Sequence, residues 1–101
     1  MAKDLPESVA LDPVLHQPVR TRIAAYLSTR GDATFTELKT TLDITDGNLE
    51  AHLKKLAAAK YIKSRRESGT GRPQTLYYLS EAGSMAFEAY VSTLQQLFKP
   101  G

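Results

Sequence analysis

The sequence contains no cysteine. Without thiols it can form no disulfide, thiolate metal site or cysteine-based redox sensor, and such a composition is typical of a cytoplasmic protein. No apolar run approaches the roughly 20 residues that cross a bilayer. Residues 1–7 also lack the apolar region of a secretory signal. We therefore predict a cytoplasmic protein with no membrane partner.

The residue patterns of catalysis are absent as well. The two histidines, His16 and His52, have no carboxylates around them at the spacing of metal ligands. Gly69 and Gly71 lie between two strand patterns and do not open a helix, as a phosphate-binding loop would. The sequence shows no Ser/His/Asp pattern of the kind that nucleophilic catalysis uses. We therefore predict no catalytic residue, no metal and no cofactor. We also predict that the protein is not an enzyme.

Charge is present but unevenly distributed. The 101 residues carry a net charge of +2 and are 42% apolar, which fits one globular domain. Residues 45–72 contain 7 basic and 3 acidic side chains, so this segment carries +4 and the remainder −2. Such a concentration is typical of a surface that binds a polyanion. Taken alone, it fits a merely solvated basic face equally well.

The first part of the chain predicts an arm and then a helix. Residues 1–11 have no periodicity and are predicted to form a flexible arm. The Asp-Pro pair at 12–13 suits the N-cap and first position of a helix. Pro18 falls inside this helix, so it either breaks or kinks it or marks a second start near 16–17. Gly31 then ends the helix.

Two further helices follow in close succession. Residues 33–35 predict a short extended segment, and Thr34 begins a Thr-x-x-Glu capping box for a helix over 35–42. A third helix, capped by either Thr45 or Asp46, is predicted over 45–59. Its buried face, called the leucine stripe below, consists of Leu49, Leu53 and Leu56.

A β-hairpin and a last helix complete the pattern. Residues 62–68 and 74–79 are strand candidates joined by a loop with two glycines and a proline, which predicts an antiparallel hairpin. On the second strand, Tyr77 and Leu79 are predicted to face the core. The last helix starts at 80–81 and its apolar positions run to the end of the chain.

This order of elements, α-β-α-α-β-β-α, is that of a winged helix-turn-helix. We predict a fold that is mainly α with a small β-hairpin, in which residues 12–79 form a DNA-binding domain. Residues 80–101 would add a C-terminal dimerisation helix. The helix at 45–59 would then be the recognition helix and the basic hairpin the wing.

The recognition helix presents polar and small residues at its front end, where helix-turn-helix proteins read bases. Asn48 can pair bidentately with adenine, and Ala51 can contact a thymine methyl group. Gly47 is a poor helix former, which suggests close approach of a phosphate; the alternative is turn chemistry that starts the helix. The predicted DNA contacts from this helix are Thr45, Asp46, Gly47, Asn48, Ala51, His52, Lys54 and Lys55.

The wing supplies the remaining predicted DNA contacts, Arg65, Arg66 and Arg72. Arginine is attracted to phosphates and to a narrow minor groove by their concentrated negative potential. Because side chains alternate along a strand, Arg65 and Arg66 point to opposite faces, and we expect only one of them to reach DNA from the strand. An ordinary charged hairpin is the alternative for each arginine.

The last helix carries more apolar surface than a small three-helix core requires. Such a helix at the end of a small domain commonly packs on a second copy of itself. The alternative is that it folds back onto the first helix, and both arrangements can hold together. The predicted dimer interface consists of Leu11, Val14, Leu15, Phe87, Tyr90, Val91, Leu94, Leu97 and Phe98.

Five segments together resemble the small bacterial and archaeal winged-helix regulators that lie between the ArsR and MarR types of transcription factor. They are Leu-His-Gln-Pro-Val-Arg-Thr-Arg-Ile at 15–23, Phe-Thr-Glu-Leu at 35–38, Thr-Asp-Gly-Asn-Leu-Glu-Ala-His-Leu at 45–53, Gly-Arg-Pro at 71–73 and Tyr-Tyr-Leu-Ser-Glu-Ala-Gly at 77–83. The third segment is the most specific of them.

The resemblance extends over about residues 12–97, nearly the whole chain. It implies a homodimer that represses or activates transcription by binding double-stranded DNA at a palindromic operator. It maps the recognition segment onto 45–55 and the wing onto 63–72. The chain lacks the cysteine or clustered histidine ligands of ArsR metal sensors, and it is too short for the ligand pocket of full-length MarR proteins. The resemblance therefore identifies no small-molecule effector.

Two other functions compete with this one. The first is a winged-helix protein-interaction module without sequence-specific DNA binding, in which the wing charge is incidental and the C-terminal stripe binds another protein. The second is a small-molecule sensor whose pocket lies at a dimer interface, near Tyr26 and Tyr90.

Overall fold

The computed structural model describes residues 10–69 and 71–99. The elements in chain order are α1 (Pro18–Arg30), β1 (Ala33–Thr34), α2 (Phe35–Leu42), α3 (Asp46–Ala58), β2 (Ile62–Glu67), β3 (Gln74–Leu79) and α4 (Glu81–Leu97). This is the predicted order, and it confirms a mainly helical winged helix-turn-helix. The predicted arm falls outside the described residues, apart from its last two positions.

The first helix begins at Pro18. Gln17 is its N-cap and accepts a 2.8 Å hydrogen bond from the amide of Arg20 through its side-chain oxygen. Asp12 instead starts a separate turn, in which its Oδ1 accepts from the amide of Val14 at 2.8 Å. The predicted second start is therefore confirmed and a helix continuous from residue 12 is wrong, because proline cannot continue a helix that began a turn earlier.

Threonine caps start both helices of the helix-turn-helix, Thr34 as predicted and Thr45 as one of the two predicted alternatives. Thr34 Oγ1 accepts from the amide of Glu37 at 3.0 Å, and Thr45 Oγ1 accepts from the amide of Asn48 at 3.2 Å. Between the helices, Asp43 adopts a left-handed conformation with φ 56°, which turns the chain sharply. These local signals set where α3 begins and therefore which of its residues occupy the first turn.

A three-stranded antiparallel sheet has β3 at its centre, with β1 and β2 on either side. Ile62 pairs with Leu79 across the hairpin, and Ala33 of β1 pairs with Tyr77. The predicted hairpin is confirmed, and its first strand ends at Glu67, one residue earlier than predicted. The short segment before α2 joins it as a third strand.

One apolar core lies between the helices and the sheet. The leucine stripe of α3 is buried, and Tyr77 and Leu79 pack against the core, both as predicted. In the described part of the chain, no helix has the length and apolar character needed to cross a membrane. The largest fully buried side chains are Leu15, Ile23, Leu27, Leu38, Leu49 and Leu56.

The first turn of α4 is fastened to the segment between α3 and β2. Ser80, the N-cap of α4, accepts from the amide of Gly83 at 3.0 Å and donates its hydroxyl to the carbonyl of Lys60 at 2.7 Å. The Ser80 amide donates to the carbonyl of Tyr61 at 2.9 Å. A Cβ on Gly83 would lie 1.9 Å from that carbonyl oxygen, so only glycine allows this approach.

Candidate nucleic-acid interface

The front end of α3 is open to solvent. On helical geometry Gly47, Ala51 and Ala58 lie opposite the leucine stripe, with Lys54 and Lys55 beside them. The centre of this face therefore has only small side chains, and its edges carry positive charge. Of the predicted contacts, His52 is half-buried, while the exposed ones are Thr45, Asp46, Gly47, Asn48, Ala51, Lys54 and Lys55.

Gly47 has room for a side chain within the described chain. A Cβ built on it would meet no heavy atom within 4 Å. Intrachain packing therefore does not require glycine here, in contrast to Gly83. The two interpretations from the sequence, close approach by a phosphate and turn chemistry that starts the helix, are both compatible with this placement.

Acidic residues occupy the flank of α3 that faces the hairpin. Asp46 forms a 2.9 Å ion pair with Lys39 of α2, which ties the start of α3 to its supporting helix. Asp46 and Glu50 also line an open groove of about 530 Å³ between α3 and β2, together with Phe35, Tyr77 and two lysines, Lys54 and Lys63. α3 and β2 therefore form two sides of one open groove.

A residue that the sequence did not single out lies beside α3. Arg20 of α1 donates from Nη1 to His52 Nδ1 at 3.1 Å and from Nε to the carbonyl of Val14 at 2.6 Å. Burial of the ring, and then the positive charges of Arg20 and Lys55, lower the pKa of His52 below its usual range. The ring is therefore neutral at pH 7. In the sequence, only Lys54 and Lys55 indicated a basic environment for His52.

The hairpin arginines have different surroundings. Arg65 forms a 2.7 Å ion pair with Asp32, approaches Glu67 at 3.8 Å, and lies over the ring of Tyr78 at 5.3 Å from its centroid. Arg66 lies on the other face and donates to Thr75 Oγ1 at 3.1 Å. Both side chains are exposed, as is Arg72 in the connecting loop. Arg65 and Arg66 therefore point to opposite faces, as predicted, and that only one of them reaches DNA stays a prediction.

Two residues of the predicted dimer interface belong to the core of the single chain. Leu15 is 0% and Tyr90 5% exposed, and the Tyr90 hydroxyl lies 2.9 Å from His16 Nδ1. This corrects the assignment of Leu15, because a side chain without accessible surface cannot meet a partner, and it leaves Tyr90 with little surface for one. It also confirms that α4 folds back within its own chain.

The other predicted dimer residues remain at least partly accessible. Phe98 is 80% exposed at the end of α4. Phe87 and Val91 line a groove that continues to Ser28 at the end of α1. The predicted interface residues that are half-buried are Leu11, Val14, Phe87, Val91, Leu94 and Leu97.

The two tyrosines considered for a sensor pocket have separate partners within the chain. Tyr26 donates its hydroxyl to Glu37 at 2.5 Å, whereas Tyr90 contacts His16. Among residues 10–69 and 71–99, no cluster of three or more His, Asp or Glu side chains could hold a metal ion.

Comparisons with known proteins agree with this architecture. A family model described as "Winged helix DNA-binding domain" matches residues 19–98. An uncharacterized protein of Methanocaldococcus jannaschii is 35% identical over 86 residues, which cover 85% of this chain and 94% of that protein. The solved structure of a transcriptional regulator homologue from Pyrococcus horikoshii OT3 superposes with a TM-score of 0.80 at 26% identity, over 90% of each chain. The transcriptional repressor BigR of Xylella fastidiosa shares the fold at 24% identity, with a TM-score of 0.64 over 87% of this chain and 83% of that one.

Proposed function

This chain belongs to the family of winged helix DNA-binding domains, and on that premise we propose that it regulates transcription as a homodimer bound to a palindromic operator. Its family places it among DNA-binding proteins and not among enzymes. The observation that carries the proposal is the exposed face of α3, small at its centre and basic at its edges. It lies next to a hairpin with exposed arginines.

In the proposed complex, α3 enters the major groove. The small side chains of Gly47 and Ala51 let its backbone come close, and Ala51 contacts a thymine methyl group. Asn48 pairs with adenine, and the positive N-terminus of α3 favours a phosphate near Gly47. Lys54 and Lys55 attract phosphates at the two edges of the groove.

The hairpin contacts the backbone or the minor groove beside this site. Arg66 and Arg72 are the proposed contacts, since Arg65 is held by two carboxylates on the other face of the sheet. Arg65 then keeps the hairpin attached to Asp32, next to β1. In this assignment Arg66 and Arg72 bind DNA, whereas Arg65 holds the hairpin in position.

Dimerisation is the second part of the proposal. Val91 and Phe98 are seven residues apart and share one side of α4. Val91 and Phe87 line the groove next to Ser28, whereas Phe98 is exposed just after the last residue of α4. An apolar strip beside a groove is suited to the matching strip of a second copy, and twofold symmetry would present α3 to two half-sites of a palindrome.

Arg72→Ala is expected to weaken binding to all DNA sequences alike, because a phosphate contact carries no sequence information. Asn48→Ala should instead flatten the base preference at one position of the half-site, at a cost of about 1–3 kcal/mol for the preferred base. Fluorescence anisotropy with operators selected from a random DNA pool measures both. Wild-type affinity should fall steeply with salt, and Arg72→Ala should reduce the salt slope by about one. Failure of the wild type to bind duplex DNA at low salt contradicts the proposed function.

Gly47→Ala separates the two interpretations of Gly47. The added methyl group has space in the free chain and favours the helix, so the thermal stability should stay the same or rise by up to about 1 kcal/mol. If a phosphate approaches the backbone at this point, the affinity for DNA should nevertheless fall by about tenfold. Unchanged affinity would mean that Gly47 serves only the start of the helix.

A further inference from the structure

The contact between Arg20 and His52 determines which nitrogen of the ring carries a proton. A guanidinium group has donors and no acceptor and stays protonated in proteins. At 3.1 Å from Arg20 Nη1, His52 Nδ1 must therefore offer its lone pair. In the neutral ring the proton then resides on Nε2.

Arg20 is itself held in place from two sides. Its Nε donates to the carbonyl of Val14 at 2.6 Å, and its amide donates to the Gln17 cap of α1 at 2.8 Å. The arginine reaches His52 from a fixed helix start, 32 residues away in the sequence. The ring is thus oriented by a rigid neighbour before any ligand arrives.

His52 also stands among the exposed residues of the proposed DNA-binding face. Asn48 lies one turn before it and Lys55 nearly one turn after it, on the same side of α3. Arg20 engages Nδ1, and Nε2 forms no hydrogen bond among the described residues. Since no buried side-chain nitrogen or oxygen in the described chain lacks a partner, Nε2 retains contact with solvent. The polar atom left for a partner is the Nε2–H donor.

We propose that His52 reads one base of the operator as a fixed hydrogen-bond donor that selects guanine, and that Arg20 is the positioning residue that holds it in this form. The inference rests on the proposed function. Guanine offers two adjacent acceptors in the major groove, N7 and O6. Adenine N7 adjoins an amino donor, thymine has a single acceptor beside its methyl group, and cytosine presents an amino donor. A ring that can only donate therefore favours guanine and rejects cytosine at the contacted position.

The first test uses the free protein. Proton–nitrogen correlation spectra of the imidazole groups should show Nδ1 of His52 unprotonated and Nε2 protonated at pH 7, and His52→Asn identifies which signals belong to this ring. Arg20→Met keeps most of the side-chain stem and removes the donor, so a detectable fraction of the neutral rings should then carry the proton on Nδ1. A wild-type ring protonated on Nδ1 overturns the inference.

The second test uses DNA selected from a random pool. Asparagine can still accept from Arg20 with its side-chain oxygen but does not extend to the Nε2 position. His52→Asn should therefore fold normally and lose the guanine preference at one position by about fivefold to tenfold, with the other positions unchanged. An unchanged base preference overturns this inference alone. Absence of any wild-type binding overturns the proposed function and the base reading with it.

A pH profile distinguishes positioning by Arg20 from a merely structural role. The charged groups that bear on His52 are Arg20 from α1 and Lys55 from its own helix, and both disfavour a protonated ring. Without Arg20, the pKa of the His52 ring should rise toward its ordinary value of about 6.5. The protonated ring would then be attracted to phosphates.

The DNA affinity of Arg20→Met, relative to that of the wild type, should therefore rise as the pH falls from 7.5 to 5.5. The double variant Arg20→Met/His52→Asn should not show this rise. Equal pH profiles for the wild type and Arg20→Met contradict a positioning role.

Discussion

Gly83→Ala is expected to destabilise the fold by about 3 kcal/mol or more, which corresponds to a fall in Tm of roughly 15 °C for a domain of this size. The new Cβ would lie 1.9 Å from the carbonyl oxygen of Tyr61 and 2.8 Å from its carbonyl carbon. Both are backbone atoms, so no side chain can rotate away to make room. Relief requires α4 to move away from the segment between α3 and β2.

That movement would break the hydrogen bonds that hold the first turn of α4 in place. The carbonyl of Tyr61 accepts from the Ser80 amide, and the Ser80 hydroxyl donates to the carbonyl of Lys60. A shift of α4 also withdraws Tyr90 from the core, where it is 5% exposed. The clash therefore costs hydrogen bonds and apolar burial together.

Gly47→Ala is the matched control for this experiment. Both glycines lie in the first turn of a helix, and both substitutions add one methyl group. Nothing lies within 4 Å of a Cβ on Gly47, so that variant should melt at or above the wild-type temperature. Thermal denaturation followed by circular dichroism compares the three proteins. Equal melting temperatures for Gly83→Ala and the wild type would contradict the close approach of α4 to Tyr61.

The second large effect is expected from Phe98→Glu. A carboxylate in place of a phenyl ring that is 80% exposed does not disturb the single chain, but it is costly in an apolar interface between two chains. Loss of the dimer would remove the linkage between two half-sites. The affinity for the full palindrome should then fall by about 100-fold or more, because linked binding sites gain that factor from effective concentration.

Light scattering and anisotropy measure the two consequences separately. Phe98→Glu should be monomeric and should bind an isolated half-site as the wild type does. Met85→Glu is the control, since Met85 is 63% exposed on a different side of the same helix and should leave both properties unchanged. A Phe98→Glu protein that remains dimeric contradicts the proposed role of this side of α4. A wild-type monomer without DNA binding would instead favour a protein-interaction module.

The local signals in the sequence predicted the elements well, and the reason is geometric. Caps and turns act within a few residues, so Thr34, Thr45 and Gly31 set helix boundaries without regard to the rest of the chain. The proline at 18 was ambiguous, because a kinked helix and a new helix start have the same local pattern. Gln17 resolved it by capping a new helix.

The candidate site was predictable in outline and not in detail. The positions of Asn48, Ala51 and Lys55 on one exposed face follow from the period of α3 once its leucine stripe is known. The environment of His52 does not follow, since it depends on an arginine of another helix. The same holds for Arg65, whose ion pair with Asp32 joins positions 33 residues apart.

By itself, the sequence determined the order of the elements, the buried leucine stripe of α3, and the concentration of basic charge in residues 45–72. These properties arise from interactions between near neighbours and from composition. Only the tertiary structure decided that Tyr90 is a core residue, that Gly83 must be glycine and that Arg20 orients His52. Each of these depends on the distance and angle at which two elements dock, and docking geometry is set by the whole core and leaves no periodic trace in either segment.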